Sequence, residues 1–222
     1  MNNNPTSESV IESIPKNALY LGLEVNEPVD SILNVVIQGL KGITEFYPNL
    51  EDAKKLLKEL SDNTFEDSDI FGSIWKYPKV NKNWHITTLF KKGSIMNKSH
   101  PAYINFKAGK QIYIQIRGLI YIPKRIVTAI VDVDTPVGND FPHLTTLLGT
   151  FSAKHSNDVL KELFSNGKIL SKEYKKLFKD QLNEELYTEM VDINLLNKKE
   201  RVYIHKFKEP LMLETSMKVY FG

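Results

Sequence analysis

The sequence predicts an α+β fold, and three observations predict it. Apolar runs of strand length cluster between residues 84 and 148 instead of alternating one by one with helices. Helical periodicity lies mainly before and after that cluster. Gly and Pro break neighbouring runs at short intervals, as consecutive strand pairs require, whereas a doubly wound parallel sheet would alternate strand and helix throughout.

The elements follow in order. Residues 1–15 are polar and rich in Asn and Ser, which predicts a flexible tail, and 16–222 is read as one domain. Ala18 to Val25, bounded by Pro15 and Pro28, predicts the first strand. Ile32, Leu33, Val35, Val36, Leu40 and Ile43 recur at helical spacing, with Asp30 placed to cap the N-terminus. A second helix is expected near Leu50 to Leu60, where Glu51 and Asp52 suit the first-turn dipole. Residues 61–82 carry Asn, Asp, Ser, Pro and Gly and read as a long loop.

Strands are then expected at Trp84 to Phe90, Gln111 to Arg117, Leu119 to Ile122, Arg125 to Val133 and Pro142 to Leu148, with Gly118, Pro123-Lys124 and Gly149 as breaks. Ser156 opens a helix to about Phe164, stopped by Asn166-Gly167. A longer helix from Ser171 would place Tyr174, Leu177, Phe178, Leu182, Leu186 and Met190 on one face. Arg201 to Phe207 and Leu211 to Phe221 predict a terminal hairpin turning at Glu209-Pro210.

Composition narrows the function classes. The chain has 222 residues, a net charge of +2 and no cysteine. Disulfides, thiolate catalysis and Cys-containing zinc sites are excluded. The weak positive charge neither demands nor excludes nucleic acid: a duplex-coating protein usually carries a stronger basic bias, whereas a pocket for one or two phosphates needs only a few local cations. No apolar run approaches the ~20 residues needed to span a bilayer. The first residues lack the pattern of a secretory signal. The expectation is a protein of the cytosol or nucleus, away from membranes and monomeric.

Chemistry concentrates in one repeated pattern. His85-Ile86-Thr87-Thr88-Leu89-Phe90 and His143-Leu144-Thr145-Thr146-Leu147-Leu148 share the order His-apolar-Thr-Thr-Leu-apolar. With five histidines and twelve threonines in 222 residues, chance predicts fewer than one His-x-Thr match. In a strand, residues two apart share a face. Each motif therefore projects one imidazole and one hydroxyl together, while Ile86 and Leu144 turn into a core. Two imidazoles can divide the roles of general base and general acid near neutral pH. Two hydroxyls can donate to the non-bridging oxygens of a reacting phosphate. The pair lacks the i, i+4 His spacing of a helical zinc site, so no metal and no cofactor is expected.

These paired motifs resemble those of the two-histidine phosphoesterase superfamily, which includes 2′–5′ RNA ligase-like proteins and cyclic phosphodiesterases. The resemblance extends to the strand Leu19-Tyr-Leu-Gly-Leu-Glu-Val with its following helix, and to Gly118-Leu-Ile-Tyr-Ile-Pro followed by Arg125-Ile-Val-Thr-Ala-Ile-Val. It covers about residues 18–165. It implies two pseudo-symmetric lobes of antiparallel sheet with flanking helices around a central cleft. It also implies His85 and His143 as acid and base, Thr87 and Thr145 as phosphate anchors, and chemistry without a metal. The histidines are 58 residues apart (143 − 85), closer than is usual in that family, and residues 166–222 have no evident counterpart there.

The implied activity is hydrolysis of a 2′,3′-cyclic phosphate or a 2′–5′ phosphodiester in RNA or oligonucleotides. A non-catalytic nucleotide-binding module of the same fold, or an RNA-joining activity, would use the same residues. The partners implied are RNA ends or small nucleotides. Four further residues are candidates for substrate contact. Tyr121 would line the pocket, with core packing as the alternative. Phe151 would stack on a base and Lys154 would reach a phosphate, the alternative being a capping loop around His155. Lys91 shares the parity of His85 and would face the cleft mouth, with a surface turn as the alternative that also covers Lys92. Arg117 and Arg125 either bind phosphate or flank a bend. His100 and His205 lack motif partners and read as structural or surface residues.

Overall fold

The computed structural model describes residues 14–62, 74–77, 84–91, 96–165, 178 and 187–221. The predicted tail therefore lies almost wholly outside the described residues, as do Lys92 and most of the 61–82 loop. Strand β1 (Ala18–Val25) leads into helices α1 (Val29–Phe46) and α2 (Glu51–Ser61). Next come β2 (His85–Phe90), the single-turn helix α3 (Pro101–Ile104), β3 (Gln111–Ile122), β4 (Ile126–Val133), β5 (His143–Leu148) and α4 (Lys154–Phe164). The chain closes with β6 (Tyr187–Leu195) and β7 (Lys198–Phe221). The fold is α+β, as predicted. Asp30 lies in the first turn of α1 instead of capping it. The cap is Pro28, whose fixed φ of −60° and absent N–H fit the entry to a helix.

Among the described residues all seven strands join one antiparallel sheet in the order β2-β1-β7-β3-β4-β5, with β6 beside β7. The long strand β7 joins the two halves. Its first part lies between β3 and β6, and its second part between β3 and β1. This corrects two expectations. Pro210 does not turn a hairpin. Lys206 pairs with Gly118 and Leu211 with Ile116, so the chain keeps its direction while residues 207–210 leave the ladder. Pro has no N–H for the ladder, which accounts for the gap without requiring a reversal. The other correction is at Gly118, which bends one continuous strand instead of separating two. Arg117 is the extra residue of a bulge there, and a Cβ on Gly118 would lie 2.5 Å from the His205 carbonyl oxygen.

The hairpin of this region is β6–β7. Leu196 and Asn197 both have positive φ, 51° and 62°, as a two-residue primed turn demands. Met190 lies on β6, not on the predicted helix. The rest of that helix falls outside the described residues, apart from the buried Phe178, whose ring meets Phe164 edge-on.

Two cores sandwich the sheet. On one face α1 and α2 bury Ile32, Val36, Leu40, Ile43 and Leu56 against Ile86, Ile116, Leu119, Leu144 and Leu147. Helix α1 sits so close that a Cβ on Gly42 would be 2.1 Å from the His205 ring. On the other face α4 packs Val159, Leu163 and Phe164 over Ile120, Ile126 and Ile130. At the β1–β2 end of the sheet a smaller cluster joins Leu21, Leu89, Met96 and Ala102 of α3. No described helix is long and apolar enough to cross a membrane.

Candidate functional site

The two motif strands, β2 and β5, are the two ends of the sheet path. They nevertheless meet, and the pairing registers explain how. Opposite β2, Gly22 pairs with Thr87 and Leu21 with Leu89, so Thr88 is an extra residue. Opposite β5, Thr128 pairs with Thr145 and Val127 with Leu147, so Thr146 is extra. The second Thr of each motif is thus a bulge, left out of the ladder. Each bulged carbonyl accepts from the segment leading into the opposite motif strand. Gly138 N–H donates to Thr88 O at 2.6 Å, and Trp84 Nε1–H donates to Thr146 O at 3.0 Å. These reciprocal bonds, each contributing about 1 kcal/mol net, tie the two ends of the sheet together.

Ile86 and Leu144 are fully buried in the core under α1 and α2. Burying each such side chain contributes about 1.5–3 kcal/mol, so the facing of both strands is firmly specified. The alternate residues therefore share the opposite face. There a cleft of about 530 Å³ is lined by His85, Thr87, His143 and Thr145 together.

The His143 side of the cleft is built from α4 and the approach to β5. His143 is 9% exposed, and its Nδ1 lies 2.9 Å from the Phe141 carbonyl. A carbonyl can only accept, so Nδ1 carries the proton and Nε2 holds the lone pair of the neutral ring. Burial holds the His143 pKa below the ordinary imidazole value. The Phe141 carbonyl bond opposes this, and the charge of His85 adds to it. Thr145 Oγ1 lies 2.8 Å from Ser156 Oγ, a fully buried hydroxyl in the first turn of α4.

The His85 side is aromatic and more open. His85 is half-buried, and its Nε2 lies 3.1 Å from the Tyr20 hydroxyl. The Tyr20 ring stacks on His85 at 5.2 Å and on Tyr220 at 4.5 Å. The Tyr220 hydroxyl in turn donates to Glu24 Oε2 at 3.4 Å, and Lys218 pairs with Glu24. Burial pushes the Tyr20 pKa up to about 12, and that of Tyr220 is raised for the same main reason.

The candidate substrate contacts divide. Lys154 lines the cleft. Tyr121 does not. It is fully buried on the α1 face, packed with Trp75 and Tyr203, because its strand parity turns it away from the cleft. Phe151 is buried too. It stacks on His155 at 4.8 Å, lies beneath the Arg125 guanidinium and belongs to the core under α4. Lys91 is not among the cleft-lining residues, since the Thr88 bulge shifts the alternation by one and gives the Tyr20-facing position to Phe90.

Arg117, Arg125 and the three other histidines have structural partners. Arg117 pairs with Asp132 and Arg125 with Glu200. His155 Nδ1 accepts from Ser152 N–H at the start of α4, and His100 Nδ1 accepts from Ala102 N–H at the start of α3. His205 is buried, with Nδ1 2.8 Å from Thr188 Oγ1.

Sequence reasoning missed Tyr20, Ser156, Asn139, Asn157 and Lys161. The first two follow from which elements neighbour the motif strands, which strand parity alone does not reveal. The i, i+3, i+7 spacing of Lys154, Asn157 and Lys161 was readable as one helix face. Among the described residues no three His, Asp or Glu side chains are grouped to hold a metal.

Neither a protein-family model nor a curated protein matches the sequence. Among solved structures, one described as the crystal structure of a fungal RNA kinase is similar at 14% identity and a TM-score of 0.47. The alignment covers 95% of this chain and 47% of that one, so the chain spans about half the length of that protein.

Proposed function

We propose that the cleft hydrolyses a phosphodiester, either a 2′,3′-cyclic phosphate or a 2′–5′ linkage in RNA or oligonucleotides, by acid–base catalysis between His85 and His143 and without a metal. One observation carries this reading. Both His-x-Thr faces line a single cleft, whose volume of about 530 Å³ suits a nucleotide-sized ligand. The resemblance to two-histidine phosphoesterases supports it.

His143 is the base. Its Nδ1 proton is committed to Phe141 O, and its lowered pKa keeps the ring neutral at working pH. Nε2 takes a proton from water as the water oxygen attacks phosphorus. The bond from phosphorus to the ribose oxygen breaks, and protonated His85 supplies the proton to that oxygen. Thr87 and Thr145 donate to the non-bridging oxygens. Either hydroxyl of the Thr145–Ser156 pair can donate to the other; in this mechanism Ser156 donates, which leaves the Thr145 proton for the phosphate.

The test is a panel of cyclic-phosphate RNA ends, 2′–5′ oligoadenylate and cyclic dinucleotides, assayed in EDTA with products identified by NMR or mass spectrometry. At least one class should be hydrolysed, and His85→Ala and His143→Ala should each abolish that turnover in folded protein. Full activity in either variant refutes the reading. Tight binding without hydrolysis across the panel would instead indicate a nucleotide-binding module.

A further inference from the structure

Helix α4 faces the cleft with Lys154, Asn157 and Lys161. The spacing of three and four residues puts them on one side of the helix, along about 10 Å of its length. The orientation of Asn157 follows from a chain of hydrogen bonds. The Phe141 N–H can only donate, so Asn139 must turn its Oδ1 toward it, at 3.2 Å. Asn139 Nδ2 then donates to Asn157 Oδ1 at 3.0 Å. The Asn157 amide nitrogen is left with its donors directed away from Asn139.

The stripe therefore offers two ammonium groups and one amide NH₂, all donors. Neither Lys154 nor Lys161 has an ion pair among the described residues, whereas Lys124, Lys199 and Lys218 each lie on a carboxylate. Asp140 also lines the cleft and is its carboxylate among the described residues. A surface of donors alone suits a ligand of acceptors alone, and phosphate is that ligand. The stripe is also anchored to the first site. Phe141 donates its N–H to Asn139 and accepts the Nδ1 proton of His143.

We infer that Lys154, Asn157 and Lys161 form a second phosphate subsite, so that the preferred ligand carries a second phosphate besides the one held between the histidines. This rests on the reading that a phosphate occupies the space between His85 and His143. The second group is either the next internucleotide phosphate of an RNA chain or a 5′-phosphate on the same nucleotide.

Three product-type ligands, none requiring turnover, separate these sources: adenosine 2′-monophosphate, adenosine 2′,5′-bisphosphate, and the dinucleotide ApA ending in a 2′-phosphate. Titration calorimetry should show at least one of the two-phosphate ligands binding about tenfold tighter than the monophosphate. Which one gains identifies the source of the second phosphate. In a Lys154→Gln/Lys161→Gln variant, with its fold checked by circular dichroism, that ratio should fall toward one. Asn157→Asp keeps the bond from Asn139 but places a carboxylate in the stripe, and it should lower the ratio as well.

Equal binding of all three ligands, no binding of any, or a ratio that survives the double substitution overturns the subsite. A protein that shows the ratio but hydrolyses nothing would overturn the catalytic reading and leave the subsite standing. Turnover without the ratio would do the reverse.

Discussion

The two motif strands share a six-residue pattern but hold their histidines in different surroundings. His143 is buried, its Nδ1 fixed by a backbone carbonyl and its neighbour Thr145 bonded to a buried serine. His85 is half-buried in an aromatic stack, and its Nε2 meets a tyrosine hydroxyl. Burial disfavours the charged imidazole and holds the His143 pKa down. Equal motifs thus hold their rings in unequal surroundings, which the motif itself does not set.

The largest effects test whether both halves are needed. His143→Ala and His85→Ala should each lower kcat/KM by about 10²–10⁴-fold or more. Their effects on stability should differ. Removing His143 strips a buried carbonyl of its donor and should destabilise by about 1–3 kcal/mol in urea denaturation. His85→Ala should change stability less. Equal losses would erase the contrast between the two halves.

Next come the hydroxyls. Thr87→Val and Thr145→Val should each slow turnover by about 10²-fold if both anchor the phosphate. Ser156→Ala should cost about tenfold through Thr145, in the range of one hydrogen bond. It should add little to Thr145→Val, and a fully additive double variant would detach Ser156 from that role.

Trp84→Phe probes the tie between the halves. It leaves the Thr146 carbonyl without its donor and should destabilise by about 1–3 kcal/mol, read by thermal or chemical unfolding. An unchanged midpoint would mean that the cross-cleft bond contributes nothing.

A smaller effect is pH dependence. Burial first, with the further influences on His143 already described, lowers the pKa of His143, and burial lowers that of His205 against a weaker opposing pull from Glu45. Between their folded pKa values and the ordinary 6.5, the folded state binds fewer protons than the unfolded chain. Their contribution to stability is therefore complete above about pH 6.5 and is lost as pH falls through that window. Melting temperature should decline below pH 6.5, and less steeply in His205→Gln. The acid limb of kcat/KM should lie below 6.5, and a limb above 7 would reverse the assignment of His143 as base.

The smallest expected change is in Tyr20→Phe. It should alter kcat/KM only several-fold, in the range of one hydrogen bond, and should leave the acid limb assigned to His143 in place. A shift in the limb assigned to His143 would contradict the pairing of Tyr20 with His85.

The elements whose faces were legible in the sequence are those with one unambiguous apolar side. The α1 stripe and the alternation in His85–Thr87 and His143–Thr145 placed their residues correctly, because a fully buried Ile86 or Leu144 leaves its neighbours only the other face. Of the two readings of Lys91, the cleft-facing one fails because a single bulge at Thr88 resets the alternation beyond it. The sequence leaves Tyr121 and Phe151 between pocket and structural readings because an aromatic residue is as much at home in a core as in a pocket, and their burial depends on α1, α2 and α4. Pro210 read as a turn, since a missing N–H marks a break in pairing without saying whether the chain reverses.

By itself, the sequence determined an α+β chain with two repeated motifs, each sending one imidazole and one hydroxyl to the same side of a strand. Local periodicity suffices for that, because it is set by backbone geometry within a few residues. Only the tertiary structure decided that the two motif strands, at opposite ends of one sheet, are joined by reciprocal bonds from bulged threonines. It alone decided that His143 is buried while His85 is stacked, and that α4 supplies the donors beside them. Those outcomes depend on partners far apart in the chain, which strand parity and helix spacing do not encode.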